Sequence, residues 1–599
     1  MTTTGTAPDT AAETTHTAPT THRGTWHGYH LFLHSTAADT DAFLLREAAP
    51  YLDGLVAAGE ATAWFFIRYG EDGPHLRIRV RDLSPAGAAA LPDRLARAAK
   101  GAPAVAGPWP SAHAEVRTVP YTPETERYGG VSALPIAEEV FAASGRVVLD
   151  ALEALAARTG GDGGGSARLA VAADLAHTTA YALGMDRLAA ARWLRGHAAG
   201  WRWVTEVPLL PGASVHARVN SVYAAQRSAL VRRAADLRQR LTDGSAAPWL
   251  NRWADRVREA DASLRSLGAE AGPRESPYAW VWASQLHMLF NRLGVIPDEE
   301  RAVCRLAART LLEIPETAET TETDGAGSAP SYFPSSHTAP DVQYLERSKF
   351  LVGRAEDTAL RPTAPLPRAS RHTARPGRPD VPLPTGPLPD VPLSAVLAGR
   401  ASARGALGGP LDAAGLGALL WHSLAESSRS AQHLADGSTR TLAHRPYPSA
   451  GALYTARVRL LVLDTAGVPP GTYDCVPESR TLRWVGPVPP VPEIKALSTY
   501  LSRPATDPDR IGIDAAPVVL GVYADLGLLR RRYGLRALRL ALLETGHLTQ
   551  TLLLTASALG LGGTPLGGFH DDLAQELFGL DDLGQPLQYL LPLGRPATA

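Results

Sequence analysis

The sequence predicts an α+β protein with two large domains. The chain has 599 residues, too many for one hydrophobic core. In both halves, short segments that alternate polar and apolar residues are mixed with longer segments of helical spacing. A stretch dense in proline, residues 362–392, separates the halves. We therefore expect a disordered tail at 1–25, a domain at 26–313, a linker at 314–392 that is proline-rich in its second half, and a domain at 393–599.

The first domain is predicted to be mixed α+β at its start and rich in helices afterwards. Alternation predicts strands from residue 26, at 63–69 and at 75–81. Helical spacing predicts the helices 41–58, 135–158, 167–196, 215–242, 249–267, 276–293 and 299–313.

The second domain is predicted to be α+β as well. The sequence predicts a helix at 411–423 and strands at 457–464, 481–485, 518–523 and 589–593. The segment 535–559 is apolar on nearly all sides, so we expect a fully buried helix.

Charge and cysteine content exclude several classes of protein. The 59 Lys and Arg balance 60 Asp and Glu, without the basic excess of a nucleic-acid binder. Only Cys304 and Cys475 are present, far apart, which disfavours disulfides and a cysteine-built metal site. The N-terminus lacks the pattern of a secretory signal, and charged residues interrupt the longest apolar run, 538–561. We expect a cytoplasmic protein without a metal, a membrane span or a direct nucleic-acid partner.

Two glycine-rich stretches do not fit nucleotide-binding motifs. Residues 160–166 lack the Gly-Lys-Ser/Thr ending of a phosphate loop, which favours a flexible loop between helices. Gly560-Leu561-Gly562-Gly563 does not continue as GxGxxG and follows a helix instead of a strand. Tightly bound NAD is therefore not expected.

Three segments of the second domain suit a flavin nucleotide. Arg400, Ser402 and Arg404 offer cations and a hydroxyl to a phosphate. Pro448-Ser449-Ala450-Gly451 and the loop 560–569 contain small residues that let the backbone approach a flat ring. Each segment alone is also compatible with an ordinary turn.

In their order along the chain, these segments resemble the SagB-type azoline dehydrogenases of the nitroreductase fold. The resemblance also includes residues 445–454, 544–550 and 589–596. It implies an FMN-dependent oxidation of thiazolines or oxazolines to azoles, in a homodimer that forms through this domain. The phosphate-binding residues would be Arg400, Ser402, Arg404 and Arg595. The residues around the ring would be Pro448, Ser449, Ala450, Gly451, Gly567 and Gly568.

The sequence departs from this family at a catalytic pair. Where the family has Lys-Tyr before the long helix, this chain has Arg532-Tyr533. Because arginine does not release its proton at ordinary pH, a base role shifts toward Tyr533. Residues 455–457, Thr-Ala-Arg, also differ from the proline and acidic residue common in the family.

The first domain carries candidate residues of a different kind. Arg77 and Arg79 alternate with apolar residues, so a strand would place both guanidinium groups on one face, where they could bind an anion. Glu124 and Arg127 have i, i+3 spacing, and His287 lies in a helical segment with apolar neighbours. Separately, these are also typical of a solvated strand face, an ordinary ion pair and a core histidine.

Together, Pro-His-Leu-Arg-Ile-Arg at 74–79, Glu-x-x-Arg-Tyr-Gly-Gly at 124–130 and His-x-x-x-Asn-Arg-Leu-Gly at 287–294 resemble the elimination domain of lantibiotic dehydratases. That family expels glutamate from glutamylated Ser or Thr to leave dehydroamino acids. The resemblance implies that Arg77, Arg79 and Arg127 clamp the leaving group. His287 or Glu124 would then transfer the proton, and the sequence leaves this choice open.

The order of the two regions resembles the bifunctional proteins of lactazole-type thiopeptide pathways. The expected substrate is a precursor peptide that carries glutamyl esters and azolines, supplied by a separate tRNA-dependent glutamylation enzyme and a cyclodehydratase. Three alternatives remain. The first region could only bind peptide, it could catalyse a pyridine-forming cycloaddition, or the second could be a general flavin reductase.

Overall fold

The computed structural model describes residues 24–159, 165–204, 206–267, 278–313, 340–349, 379–433, 437–581 and 583–596. The predicted tail up to residue 23, the glycine-rich stretch 160–164 and most of the predicted linker, 314–339 and 350–378, lie outside the described residues. The chain divides into two compact units, 1–186 with 234–300 and 187–233 with 301–599. Each unit is therefore built from two stretches of chain.

The first unit contains a four-stranded antiparallel sheet with the strand order β2-β3-β1-β4. Its strands are β1 Trp26–Phe32, β2 Ala63–Tyr69, β3 His75–Arg81 and β4 Val116–Pro120. Its helices are α1 Ala37–Phe43, a π-helical turn Leu44–Ala48, α2 Ala49–Ala57, α3 Pro85–Ala99, α4 Leu134–Thr159, α5 Gly165–Ala182, α8 Pro248–Ser266 and α9 Ala279–Leu293. One face of β3 buries Leu76, Ile78 and Val80, and the opposite face carries arginines. The three predicted strands are confirmed, whereas α3 and β4 were not predicted.

The predicted single helix 167–196 was wrong. Gly184 adopts φ +71°, a left-handed conformation that ends helices, so α5 stops at Ala182 and α6 begins at Arg187. The helices α6 Arg187–Gly200, α7 Gly212–Asp243 and α10 Pro297–Leu312 follow. One unit boundary falls just before α6, and the other two fall within α7 and α10.

The second unit is organised around a nine-stranded sheet. Its order is β12-β6-β15-β13-β9-β10-β11-β5, with β14 paired to β15. The strands are β5 Val381–Pro382, β6 Gly405–Gly408, β9 Ala456–Val462, β10 Gly471–Val476, β11 Thr481–Gly486, β12 Ile511–Gly512, β13 Val518–Ala524, β14 Gly562–Gly563 and β15 Leu587–Pro596. A separate hairpin consists of β7 Ser428–His433 and β8 Thr439–His444. All seven residues of β13 are buried, as expected of a central strand.

One helix of the second unit, α11 Pro340–Arg347, lies in the segment that the sequence analysis assigned to the linker. The helices that follow it along the chain are α12 Leu393–Gly399, α13 Ala413–Leu424, α14 Val491–Lys495, α15 Thr499–Ser502, α16 Leu526–Tyr533, α17 Ala537–Ala558 and α18 Asp571–Phe578. The hydroxyl of Tyr344, on α11, accepts a hydrogen bond from the backbone N–H of Arg539 at 2.9 Å, in the first turn of α17. Near the end of the predicted linker, β5 pairs with β11 of the sheet. Parts of the predicted linker are thus ordered parts of this unit.

The long apolar helix is not fully buried, contrary to the prediction. On α17, Leu548 and Leu552 are inaccessible to solvent, but Leu542 and Leu543 are 48% and 60% exposed. Apolar composition predicted burial on all sides, and the helix packs with one side only. No helix within the described ranges is both long and apolar enough to cross a membrane.

A buried carboxylate joins three segments of the second unit. Glu576, on α18, is 5% exposed and accepts hydrogen bonds from Arg301 at 3.3 Å and from Arg305, both on α10. Nε2 of His216, on α7, lies 2.7 Å from Oε2 of Glu576, the oxygen that also accepts from Arg305. Burial is the largest influence and would raise the pKa of Glu576, but Arg305, His216 and Arg301 together lower it to about 2. Glu576 is therefore ionised and links α7 and α10 to α18.

Candidate functional site

The first candidate site lies on the arginine-bearing face of the four-stranded sheet of the first unit. Arg77 and Arg79 point to the same side of β3, and His30 on β1 lies opposite Arg77 in the strand register. Arg117 on β4 lies on the other side of His30. Three strands therefore place three guanidinium groups around one imidazole.

Arg79 is a buried cation without a carboxylate partner among the described residues. It is 7% exposed, and its Nη atoms contact the backbone oxygen of Ile78 at 3.2 Å and Nε2 of His30 at 3.3 Å. Gly28 provides the space, because a Cβ atom there would lie 3.1 Å from Nη1 of Arg79. Burial first, and then Arg77, lowers the pKa of Arg79 to about 10. A buried charge of this kind favours an anionic ligand.

Arg77 is only weakly neutralised. Its Nε donates to Nε2 of His75 at 3.2 Å, and its guanidinium lies 3.3 Å from the centre of the Tyr69 ring. Its one described ion pair, with Glu71 at 3.2 Å, involves a carboxylate that is 72% exposed and therefore well screened by water.

The other three predicted residues of the first unit come together around α9. Arg127 donates to Glu124 at 2.8 Å and contacts the Ser284 hydroxyl at 3.4 Å, one helical turn before His287. Nδ1 of His287 lies 2.9 Å from Oε2 of Glu300, which is fully buried. Glu300 was not predicted, because Asp298, Glu299 and Glu300 resemble the acidic residues that favour a helix N-terminus. The structure thus pairs His287 with a carboxylate.

The two groups of residues are linked through the fold. The ring of Tyr128, the neighbour of Arg127, lies 4.8 Å from that of Phe141. Phe141 in turn lies 5.2 Å from the ring of Phe65, which is opposite Arg79 in the register of β2 and β3. The end of α9 is also fixed to β2, since Asn291 exchanges two 2.9 Å hydrogen bonds with the backbone of Arg68. Arg292 adds a 2.8 Å bond to the backbone oxygen of Phe66. The Asn-Arg part of the His-x-x-x-Asn-Arg motif therefore positions α9, and with it His287, against the sheet.

The second candidate site includes the loop Pro448–Gly451. The Ser449 hydroxyl donates to Oε2 of Glu544, on α17, at 2.7 Å and accepts from the Tyr454 backbone at 2.8 Å. Glu544 is 2% exposed and also accepts from the backbone of Ala456. This buried carboxylate, which was not predicted as a site residue, fixes the loop through the hydroxyl of Ser449.

Arg532 and Tyr533, at the end of α16, lie against this loop. Gly451 has φ +61°, and a Cβ atom there would lie 2.6 Å from the Tyr533 hydroxyl and 3.5 Å from Nε of Arg532. That Nε atom is buried and has no partner in the part of the chain that the structure describes. The structure therefore brings the predicted catalytic pair to the predicted ring-binding loop.

Most of the predicted phosphate-binding residues surround residues 560–564. Ser402 forms a bridge with Gly563, and Arg404 contacts the Thr564 hydroxyl at 3.4 Å. The Arg595 guanidinium lies 3.3 Å from the position of a Cβ on Gly560. Arg400 lies just before this cluster, at the end of α12.

The remaining predicted pair, Gly567 and Gly568, lies in an exposed loop. A Cβ atom on either glycine would meet nothing within 4 Å. The backbone oxygen of Gly568 accepts a 2.7 Å hydrogen bond from Ser498. Among the described residues, no hydrogen bond joins this pair to the loop at 448–451.

Two protein families match this chain, one in each of the regions that carry the motifs. Residues 26–311 match the family model for the lantibiotic biosynthesis dehydratase C-term, and residues 397–595 match the model for the nitroreductase family. The chain is 30% identical over 161 residues to MJ1384 of Methanocaldococcus jannaschii, which is named as a nitroreductase, covering 26% of this chain and 74% of that protein. It is 33% identical over 141 residues to the microcin B17-processing protein McbC of Escherichia coli, covering 23% of this chain and 49% of the relative.

Solved structures show more distant similarity. The pyridine synthase TbtD from thiomuracin biosynthesis is 22% identical, with a TM-score of 0.36, over 48% of this chain and 97% of that chain. The tRNA-dependent lantibiotic dehydratase MibB from Microbispora sp. 107891 is 24% identical, with a TM-score of 0.34, over 49% of this chain and 28% of that chain. The chain belongs to the nitroreductase family through its C-terminal region, which it joins to a region that matches the C-terminal domain of lantibiotic dehydratases.

Proposed function

We propose that this protein is a bifunctional maturation enzyme for a thiopeptide-type ribosomal peptide. Its first region would eliminate glutamate from glutamylated Ser or Thr, and its second would oxidise azolines to azoles. The family matches and the similarity to a microcin-processing protein support this combination. The observation that carries the first activity is the buried, carboxylate-free Arg79 beside Arg77.

The elimination needs an anion clamp and a base. Arg77 and Arg79 would bind carboxylates of the glutamyl group through charge-assisted hydrogen bonds, with Arg127 as a third cation. The base would take the Cα proton, the Cβ–O bond would break, and glutamate would leave. The contacts favour His287 as the base, because Oε2 of the buried Glu300 lies 2.9 Å from Nδ1 of His287 and orients the ring. Glu124 is 62% exposed and already paired with Arg127, which suits an orienting role.

The second region offers residues that fit FMN. Ser402, Arg404 and Arg595 lie around the 560–564 loop, where they would hold the phosphate together with Arg400. Pro448, Ser449, Ala450 and Gly451 would lie beside the ring, as would Gly567 and Gly568. Bound FMN would supply the acceptor for a hydride equivalent from the azoline.

Tyr533 would take the ring proton of the azoline through its hydroxyl. That hydroxyl adjoins Gly451 of the loop that would lie beside the ring, and Arg532 is its neighbour along the chain. A base at this position is compatible with dehydrogenation, in which a proton and a hydride leave adjacent atoms of the ring.

The proposed substrate requires other proteins. A tRNA-dependent glutamylation enzyme would supply the esters and a cyclodehydratase the azolines, both on one precursor peptide. We also propose a cytoplasmic location and a homodimer formed through the flavin domain. Light scattering of the purified protein would measure the dimer directly.

One peptide tests both activities. A glutamylated, thiazoline-bearing peptide is incubated with the full-length protein, and mass spectrometry records the loss of glutamate and of two hydrogens separately. We expect H287Q to abolish only the first and Y533F only the second, so each variant is the control for the other. Loss of both signals in either variant would contradict the assignment.

Other outcomes would favour the alternatives. Peptide binding without glutamate release would indicate a binding module. A macrocycle formed from a peptide that already contains dehydroalanines would indicate cycloaddition. Reduction of nitroaromatics with NAD(P)H, without thiazoline oxidation, would indicate a general reductase.

A further inference from the structure

Two histidines to which the sequence analysis gave no site role lie among the arginines of the first unit, and one of them, His75, is part of the motif at 74–79. His30 is on β1 and His75 is on β3, and their rings stack with centroids 4.9 Å apart. Both contact an arginine of the predicted anion clamp. Each arginine thus donates to an imidazole, and for Arg79 this imidazole stands where a carboxylate would be the usual partner.

These contacts determine where the imidazole protons lie. A guanidinium can only donate hydrogen bonds, so Nε2 of His30 must accept from Arg79 and Nε2 of His75 must accept from Arg77. Each ring is therefore neutral, with its proton on Nδ1. Nδ1 of His75 donates to the backbone oxygen of Gly73 at 2.9 Å. Nδ1 of His30 has no hydrogen-bond partner among the described residues.

Burial and the surrounding positive charges keep His30 neutral. Burial is the largest cause, followed by Arg79, Arg77, His75 and Arg117, and together they lower the pKa of His30 to about 4. The carboxylates nearby are engaged at the rim, Glu71 with Arg77, and Asp72 and Glu115 with Arg117. Because the imidazoles orient Arg77 and Arg79 without cancelling their charge, the centre of this face remains positive.

We propose that His30 is a ligand-binding residue of this face, and that its Nδ1–H donates to a carboxylate that Arg77 and Arg79 also hold. This inference rests on the proposed elimination, because it identifies the ligand as the glutamyl leaving group. His30 would act as a neutral donor, and Arg79 would be positioned by the opposite nitrogen of the same ring. His75 would position Arg77 without contacting the ligand.

The test is the affinity of the full-length protein for L-glutamate, measured by isothermal titration calorimetry. In H30Q, the amide oxygen can replace Nε2 as the acceptor for Arg79, but the Nδ1 donor is lost. Loss of one hydrogen bond to a charged group predicts about a tenfold weaker affinity or more. The matched control is H27Q, on the same strand but the opposite face, which should bind within about twofold of the wild type. Melting temperatures of both variants equal to that of the wild type would show that folding is unaffected.

The outcomes separate this inference from the proposed function. H30Q binding as tightly as the wild type, or wild-type protein that does not bind L-glutamate, would overturn the role of His30. If H30Q binds weakly while the wild type releases no glutamate from a glutamylated peptide, the role of His30 stands and the proposed elimination is wrong.

Discussion

Removing the buried carboxylate Glu576 should destabilise the second unit strongly. In E576Q, Arg301 and Arg305 lose their counter-charge inside the protein. The pKa of about 2, against an ordinary value of 4.5, corresponds to about 3 kcal/mol of unfolding free energy at neutral pH. Breaking buried ion pairs typically costs a similar amount, about 3–5 kcal/mol. We therefore expect E576Q to lose about 3 kcal/mol at pH 7.

The pH dependence of this loss has a defined sign. The pKa of Glu576 is lower in the folded than in the unfolded chain, so its stabilisation is complete above about pH 4.5 and disappears as the pH falls toward 2. The difference between wild type and E576Q should therefore be full at pH 7 and small at pH 2.5.

Urea unfolding followed by tryptophan fluorescence measures this difference. D390N is the control, because Asp390 is exposed and should change stability by less than about 0.5 kcal/mol. If E576Q matches D390N at pH 7, or if the gap between wild type and E576Q does not narrow at low pH, the interpretation of the Glu576 network is wrong.

Three further variants test the two candidate sites and the docking of α11 on α17. G451A should weaken FMN binding at least about tenfold, because its Cβ would lie 2.6 Å from the Tyr533 hydroxyl at φ +61°. Fluorescence titration measures this, with G546A, where a Cβ meets nothing, as the control, and equal binding of both variants would contradict it. E300Q should slow glutamate release about tenfold or more without weakening peptide binding, because His287 loses its charged partner, and an unchanged rate would refute this. Y344F should lower the unfolding free energy by about 1 kcal/mol, and an unchanged urea midpoint would show that the hydrogen bond to Arg539 contributes nothing.

Local patterns were sufficient to predict much of the fold. The alternation at 75–81 predicted β3 with both arginines on one face, because neighbouring side chains of a strand point to opposite sides. The α+β class is confirmed by the two large sheets and the helices around them. The break at Gly184 was not predicted, because the sequence of a periodic segment does not reveal the φ angle of a single glycine within it. The exposure of Leu542 and Leu543 likewise depends on what packs against α17.

Contacts between distant segments could not be predicted. His30 lies beside the arginines because of the register between β1 and β3, which no local pattern encodes. The same is true of Glu300 beside His287 and of Tyr533 beside Gly451. Family motifs named Tyr533 and Gly451, His287 and the arginines, but not His30 or Glu300, and only the fold brings the members of each pair together.

The docking of α11 has a consequence for engineering. Tyr344 caps the first turn of α17, and Arg536, just after the Arg532-Tyr533 pair, donates to the backbone oxygen of Ser348 at 3.3 Å. Transplanting only the family-matched segment 397–595 into a chimaera would discard these supports and leave the turn after Tyr533 frayed. A recombinant form of the nitroreductase-family region should therefore include residues 340–349.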